Sequence, residues 1–252
     1  MRGDVTHNAA LLLHRFVQTE SCKSQKGILR RFAFRYIPRV IVVSVVCVIW
    51  CVPTFAATRT WTGLINSDWT NSQNWEGLSV PTSADTALIP GGLTNYPTIA
   101  TRVTVNTLVV NSVGSGASVT VSPLGFLTVG DVDVHANGTL INGGAILSNG
   151  ELTVEGVVTL TSGTMNIHDV TVDSAGAFTV SGGTLLGDGL FTDNGTIFIS
   201  SGLILLADSV AKKPSENLII NAGGILFQSG GTVSVNDFIT DNKDPAGTYN
   251  QS

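Results

Sequence analysis

Residues 130–158 read Gly-Asp-Val-Asp-Val-His-Ala-Asn-Gly-Thr-Leu-Ile-Asn-Gly-Gly-Ala-Ile-Leu-Ser-Asn-Gly-Glu-Leu-Thr-Val-Glu-Gly-Val-Val. This stretch contains a short run of alternating apolar and polar residues, a turn centred on glycine, and then the same arrangement again. Successive side chains of a strand point to opposite sides, so the valines of 130–134 share one side and the aspartates share the other. The stretch therefore predicts short β-strands joined by glycine turns.

The same arrangement recurs along much of the 252-residue chain. Six equivalent turn glycines follow one another at spacings of 22, 18, 20, 19 and 28 residues: Gly116, Gly138, Gly156, Gly176, Gly195 and Gly223. A unit that returns about every twenty residues is typical of a solenoid, because one unit cannot bury its apolar side alone.

These repeats predict an all-β fold, a parallel and right-handed β-helix of about six coils with roughly 20 residues in each. Apolar side chains of successive coils would then stack in columns inside the tube. The expected inward columns are Val132, Leu152, Val170 and Leu190, and next to them Val134, Val154 and Val172. An antiparallel sandwich is the alternative, since it also has strands at regular spacing with turn signals.

The first 56 residues differ from the rest and indicate a secretory signal peptide with a long basic region. Eight of the 13 Lys and Arg residues lie in 1–39, followed by an uncharged run of 13 residues from Val40 to Val52 and small residues before a cut after Ala56. An uncleaved membrane anchor is the alternative, although a spanning helix needs about 20 apolar residues. The start of translation could also lie nearer Arg30.

Removal of this leader leaves a strongly acidic chain. Residues 57–252 hold five Lys or Arg and 16 Asp or Glu, a net charge of −11. This balance argues against nucleic acid as a partner, because phosphate binding needs a basic surface. All three cysteines, Cys22, Cys47 and Cys51, lie in the leader, so the exported chain would have no disulfide. No stable membrane span is expected after cleavage.

Three segments follow the leader. Residues 57–102 form a tryptophan-rich N-terminal cap, residues 103–235 form the coils, and residues 236–252 form a polar C-terminal tail. Within the coils, residues 208–217 are charged and aperiodic and contain Pro214. They predict a loop inserted into one coil, where proline costs no ladder hydrogen bond.

The head carries an ordered series of motifs: Trp61-Thr-Gly, Asp68-Trp, Asn74-Trp, Gly77, Val80-Pro, Asp85 and Ile89-Pro. With the glycine-rich coils that follow, this order resembles the start of many secreted bacterial surface proteins with parallel β-helices. Those proteins are adhesin-like and similar in style to filamentous haemagglutinin and autotransporter passenger domains. The resemblance implies a secreted or cell-surface bacterial protein, exported by the Sec route, that displays a β-helix.

Trp61, Trp69 and Trp75 lie within 15 residues of the head. They predict a plug over the open apolar end of the solenoid, because solenoid ends need caps. The alternative is a platform on which the indole rings bind carbohydrate.

Acidic side chains are expected to form columns on the outer face. One column would hold Asp131, Glu151 and Asp169, and the other His135, Glu155, Asp173 and Asp193. Neighbours about 4.8 Å apart repel by roughly 1 kcal/mol in water, which a solvated face tolerates. No cofactor is expected for such a solvated face. The alternative is that Asp131, Glu151, Asp169, Glu155 and Asp173 bind Ca²⁺, which would relieve the repulsion.

The sequence thus predicts an exported, non-enzymatic β-helical protein, an adhesin-like display or structural module whose partners would be extracellular carbohydrates or protein surfaces. The alternative is a carbohydrate-binding or polysaccharide-degrading protein, because several lyases and glycosidases use the pectin-lyase-like β-helix. In that case Glu155 and Asp173 would serve as the catalytic carboxylate pair.

Overall fold

The structure, a computed structural model, describes residues 56–111, 114–206, 218–235, 238–240 and 248–252, with the backbone alone for 238–240. The predicted leader, up to residue 55, and the predicted loop 208–217 lie outside these residues. The described residues form 22 strands and two 3-10 helices, Ser72–Asn74 and Glu76–Leu78. Neither of these helices could cross a membrane.

The strands stack in parallel as a β-solenoid of about seven turns, with about 21 residues per turn. The all-β parallel solenoid predicted from the glycine spacing is therefore confirmed. The turns exceed the expected number by about one, because strands in the predicted head and tail also join the stack.

Each complete turn contributes one strand to each of three parallel ladders, and the long strands β10 and β12 pass from the third ladder into the first. The first ladder contains β1 (Thr58–Thr60), β2 (Thr86–Ile89), β5 (Thr107–Val110), β8 (Asp131–Val134), the second halves of β10 (Ala145–Val154) and β12 (Thr164–Val172), β15 (Phe191–Asp193), β18 (Leu218–Ile220) and β21 (Phe238–Thr240). The second ladder contains β3 (Thr98–Ile99), β6 (Ala117–Val121), β9 (Gly138–Asn142), β11 (Val157–Leu160), β13 (Ala177–Val180), β16 (Thr196–Ile199), β19 (Ile225–Gln228) and β22 (Thr248–Gln251). The third ladder contains β4 (Arg102–Thr104), β7 (Phe126–Val129), the first halves of β10 and β12, β14 (Thr184–Gly187), β17 (Leu203–Leu206) and β20 (Thr232–Val235).

The ladders extend across both boundaries that the sequence predicts for the coil region. Strands β1, β2 and β3 lie in the predicted head, and β2 pairs with β5 of the first predicted coil. Strands β21 and β22 lie in the predicted tail and pair with β18 and β19. Head, coils and tail therefore share one hydrogen-bonded stack.

Every second side chain along a strand points into the solenoid, and these apolar side chains stack in columns from turn to turn. In the first ladder, Val132, Leu152 and Val170 stack as predicted, but the fourth member is Phe191 and not Leu190. Phe191 is 1% exposed, whereas Leu190 is 40% exposed. One extra residue between β14 and β15 causes this difference, and a shift of one residue moves a side chain to the other side of a strand.

Glycines form the corners between the second and third ladders. Gly163 has a φ of +70°, which favours glycine, and a Cβ there would lie 1.8 Å from the carbonyl oxygen of Gly144 in the preceding turn. Because this corner also recurs at Gly183, where φ is +73°, the close stacking of turns explains part of the glycine content.

Candidate functional site

The structure places Asp131, Glu151 and Asp169 in one column on the outer side of the first ladder, as the sequence predicts. Glu151 pairs in register with Asp169, and the Glu151 N–H donates to Oδ1 of Asp131 at 3.1 Å. The Leu190 N–H donates to Oδ1 of Asp169 at 2.7 Å, and Thr171 Oγ1 donates to Oε1 of Glu151 at 2.7 Å. All three carboxylates thus accept a hydrogen bond from the following turn.

Glycines make room for two of these carboxylates. A Cβ at Gly150 would lie 2.1 Å from Oδ1 of Asp131, and a Cβ at Gly189 would lie 2.1 Å from Oδ1 of Asp169. An aspartate followed about twenty residues later by a glycine therefore indicates a carboxylate that packs against the next turn. This pattern is visible in the sequence and could have predicted these contacts.

The second predicted column contains His135, Glu155 and Asp173 but not Asp193. His135 Nδ1 lies 3.1 Å from Oε2 of Glu155, and the Glu155 and Asp173 N–H groups donate to Val134 and Val154 of the preceding turns at 2.8 and 2.9 Å. Asn194 takes the fourth place, since its N–H donates to the Val172 carbonyl at 2.7 Å. The placement of Asp193 on the outer face was wrong for the same reason as that of Leu190.

Asp193 lies inside the solenoid, in the column of Val134, Val154 and Val172. It is 0% exposed. Its Oδ1 accepts the Gly195 N–H at 3.0 Å, and its Oδ2 has no hydrogen-bond partner among the described residues. Burial raises the pKa of Asp193 to about 6, because an apolar surrounding disfavours the charged carboxylate. This buried acid was missed in the sequence.

Two further groups on the first-ladder side have perturbed pKa values. Burial raises the pKa of Asp133, with the attraction of His135 opposing it and the negative charges of Asp131 and Glu151 adding to it. His168 Nδ1 lies 2.7 Å from Oδ1 of Asp188, and this hydrogen bond raises the pKa of His168. The sequence did not predict Asp188 as a hydrogen-bond partner of His168, because the two residues are twenty positions apart and meet only when successive turns stack.

A metal centre would require several of these ligands to converge on one point. Among the described residues, no group of three or more His, Cys, Asp or Glu side chains could hold a metal ion. The five residues considered for Ca²⁺ lie in the two expected columns, in which Asp131 and Asp169 accept backbone N–H groups and Glu155 lies beside His135.

The three head tryptophans are buried. Trp61, Trp69 and Trp75 are 0%, 1% and 1% exposed, and Trp75 makes edge-to-face contacts with the other two at centroid distances of 5.0 and 4.8 Å. Binding of a sugar needs an exposed ring face, and these rings present none. The predicted carbohydrate platform is therefore absent from this structure. The indoles instead belong to the core at the first turns, where the Trp61 indole N–H donates to the Asn95 carbonyl at 2.8 Å and the Trp61 backbone N–H donates to the Leu88 carbonyl at 2.8 Å.

Other residues of the head motif also hold the chain together. Asn74 is buried, and its Oδ1 accepts the N–H groups of Ile65 and Asn66 at 2.9 and 3.1 Å. Asp85 accepts N–H groups from Ala57 and Thr82 at 3.0 and 2.9 Å. Burial alone would raise the pKa of Asp85, but the Thr82 hydroxyl, which donates to Oδ2 at 2.7 Å, together with these backbone N–H groups and the charge of Arg59, lowers it. The motif therefore encodes the start of the solenoid.

Comparison with known proteins agrees with this continuity between head and coils. A family model described as a domain of unknown function, DUF8693, matches residues 60–170. No curated protein and no solved structure matches the chain. The matched range runs from Thr60 into β12 and crosses the predicted boundary at residue 102, so the similarity covers the tryptophan cluster together with the acidic column from Asp131 to Asp169.

Proposed function

We propose that this chain is an exported, non-enzymatic β-helical protein that presents an extended surface outside the bacterial cell, as an adhesin-like display or structural module. The observation that carries this proposal is the use of the outer carboxylates. Asp131 and Asp169 accept backbone N–H groups of the following turns. These groups, the best candidates for chemistry in the sequence, serve the cohesion of the solenoid.

The order of residues before the solenoid supports export. A basic region, an uncharged run from Val40 to Val52 and small residues up to Ala56 form the three parts of a secretory signal. The absence of cysteine after residue 51 fits a fold whose stability comes from stacked turns and not from disulfides.

Export and surface display are tested with the full chain carrying a C-terminal epitope tag in a bacterial host. We expect the tagged product outside the cytoplasm, accessible to protease added to intact cells, with a new N-terminus at Ala57. The control replaces Val43 and Val46 by Arg, which interrupts the apolar run and should keep the product inside. Identical cytoplasmic retention of both proteins would refute export.

A polysaccharide-degrading enzyme is the second candidate. Glu155 and Asp173 occupy consecutive turns of one outer column, and turns are spaced by about 4.8 Å. This is close to the roughly 5–5.5 Å that separates the two carboxyl groups of retaining glycosidases. Incubation with a panel of neutral and acidic polysaccharides decides between the candidates. Products that disappear in Glu155→Gln but persist in Glu151→Gln would establish the enzyme and overturn the non-enzymatic proposal.

A further inference from the structure

Beyond Arg102 at the start of the third ladder, the described strands of the second and third ladders carry no charged side chain. The second and third ladders and the corner between them are formed in successive turns by residues 117–129, 138–148, 157–167, 177–187, 196–206 and 225–235, and none of these segments contains Asp, Glu, Lys, Arg or His. The segments between them, which form the first ladder and its corners, contain two acidic residues each in 130–137, 149–156, 168–176 and 188–195.

The outward side of the second ladder, from β6 to β19, is the part of this uncharged surface with the most exposed apolar side chains; we call it the charge-free face. Val157, Phe198 and Phe227 are 40%, 44% and 38% exposed there. Among the described residues, the third ladder has one large apolar side chain exposed to a similar degree, Leu147 at 39%, and the corner between the two ladders has Leu124 at 86%. The rings of Phe198 and Phe227 stack at a centroid distance of 5.3 Å and an interplanar angle of 8°. Their stacking forms a continuous apolar ridge along two turns.

We propose that the charge-free face is a self-association surface, which packs against the same face of a second copy of this chain. The inference goes beyond the proposed display function and does not depend on where the protein is located.

The distribution of charge selects a second copy as the partner. The acidic first ladder would attract a cationic partner to itself, and the net charge of −11 after residue 56 repels an anionic one. Outward threonines such as Thr159 and Thr179, which pair in register, keep the face too polar for insertion into lipid. Two copies would repel each other through their first ladders, but the charge-free face offers them a contact with no charged side chain on either side. A two-fold arrangement satisfies this, because it brings the same patch of each copy together.

The area of the face sets the strength of the contact. Six strands spaced by about 4.8 Å, with four residues of about 3.3 Å each, cover roughly 400 Å² per copy. The total of roughly 800 Å² lies below the 1,200 Å² of a standard interface and in the range of weak, transient contacts. Association should therefore appear at high protein concentration and gain strength where many copies share one surface.

The test is sedimentation velocity on folded protein, purified after expression of the full chain from whichever fraction contains it. We expect the sedimentation coefficient of the wild type to rise with concentration up to about 1 mM. The double variant Thr159→Lys, Thr179→Lys places like charges opposite each other, and we expect its dissociation constant to rise at least about tenfold. Raised salt should not weaken the wild-type contact, since salt screens the repulsion between first ladders.

The matched control is Thr164→Lys, Thr184→Lys. These threonines lie in the same two turns, pair in register and face outward on the third ladder, so the control adds the same charge one ladder away. It should associate like the wild type. Val157→Lys is a further variant, with a single substitution at an exposed side chain of the charge-free face, and circular dichroism checks that every variant is folded.

A wild type that stays monomeric up to about 1 mM would overturn the inference, also if it binds an insoluble neutral polysaccharide instead. Equal loss of association in both double variants would overturn it as well. So would unchanged association in both Thr159→Lys, Thr179→Lys and Val157→Lys. Because the protein is purified from whichever fraction contains it, self-association can be measured even if the protein is not exported.

Discussion

Asp193 contributes a pH dependence to the stability of the solenoid, and Asp193→Asn removes that contribution. The carboxyl group occupies a place in the core column that Val134, Val154 and Val172 fill in the preceding turns. Asparagine keeps an oxygen that can accept the N–H of Gly195, and it has almost the same volume as aspartate. The substitution therefore changes the charge of the site and little else.

The magnitude follows from the two pKa values. The pKa of Asp193 is about 6 in the folded chain and 3.8 in a reference chain without structure. The folded state thus binds the proton of Asp193 more tightly than the unfolded state does, so the stability linked to this group is fully present below pH 3.8 and is lost as pH rises through about 6. The full difference corresponds to roughly 3 kcal/mol of lost stability at pH 7.

Urea unfolding followed by far-ultraviolet circular dichroism measures this effect at pH 4 and pH 7. We expect Asp193→Asn and the wild type to unfold with similar free energies at pH 4. At pH 7 we expect the variant to be more stable, by up to roughly 3 kcal/mol. Other titrating groups are common to both proteins and cancel in the comparison. Refutation would be a difference between the two proteins that is the same at both pH values, because a charge-independent change would then account for it.

Three further perturbations test the packing and the outer face. Gly176→Ala should destabilise the fold by about 1–3 kcal/mol in urea unfolding, because the added Cβ would lie 2.0 Å from a backbone oxygen. The control is Gly143→Ala, whose Cβ would have its nearest neighbour at 3.4 Å. Its free energy of unfolding should be within about 0.5 kcal/mol of wild type. Phe178→Ala should cost about 3–5 kcal/mol in the same assay, since the ring is 0% exposed. Asp188→Asn should lower the pKa of His168 in an NMR titration, because it removes the carboxylate that raises this pKa, and an unchanged titration would contradict the contact.

The repeat and its faces were predictable because glycine spacing and apolar alternation act locally. Val132, Leu152 and Val170 stack as predicted, and Asp131, Glu151 and Asp169 line the outside as predicted. Each of these positions lies in a stretch where the spacing between turns stays near twenty residues. The burial of the head tryptophans was also among the expectations, but the sequence left their role open between plug and sugar platform.

The interior position of Asp193 was not predictable from spacing alone. Leu190 and Phe191 are adjacent and both apolar, so either could have continued the column of Val170. Phe191 enters the core, where its ring contacts Phe178 edge-to-face at a centroid distance of 5.7 Å. Every residue of β15 is then shifted by one place, which buries Asp193 and exposes Leu190. Packing of one aromatic ring between turns outweighs the preference of one carboxylate for water.

The one-residue shift of β15 also removes a fourth ionisable residue from the outer column of His135, Glu155 and Asp173. Four identical carboxylates in a column would repel at each step by roughly 1 kcal/mol in water. In the corner column, His135 instead lies beside Glu155, and beyond Asp173 the place expected for Asp193 holds Asn194. The Asn221 side chain donates to Oδ1 of Asn194 at 2.7 Å, so the column continues with neutral amides. Within this corner column, a histidine and neutral amides thus stand beside the carboxylates, which lowers the repulsion along it.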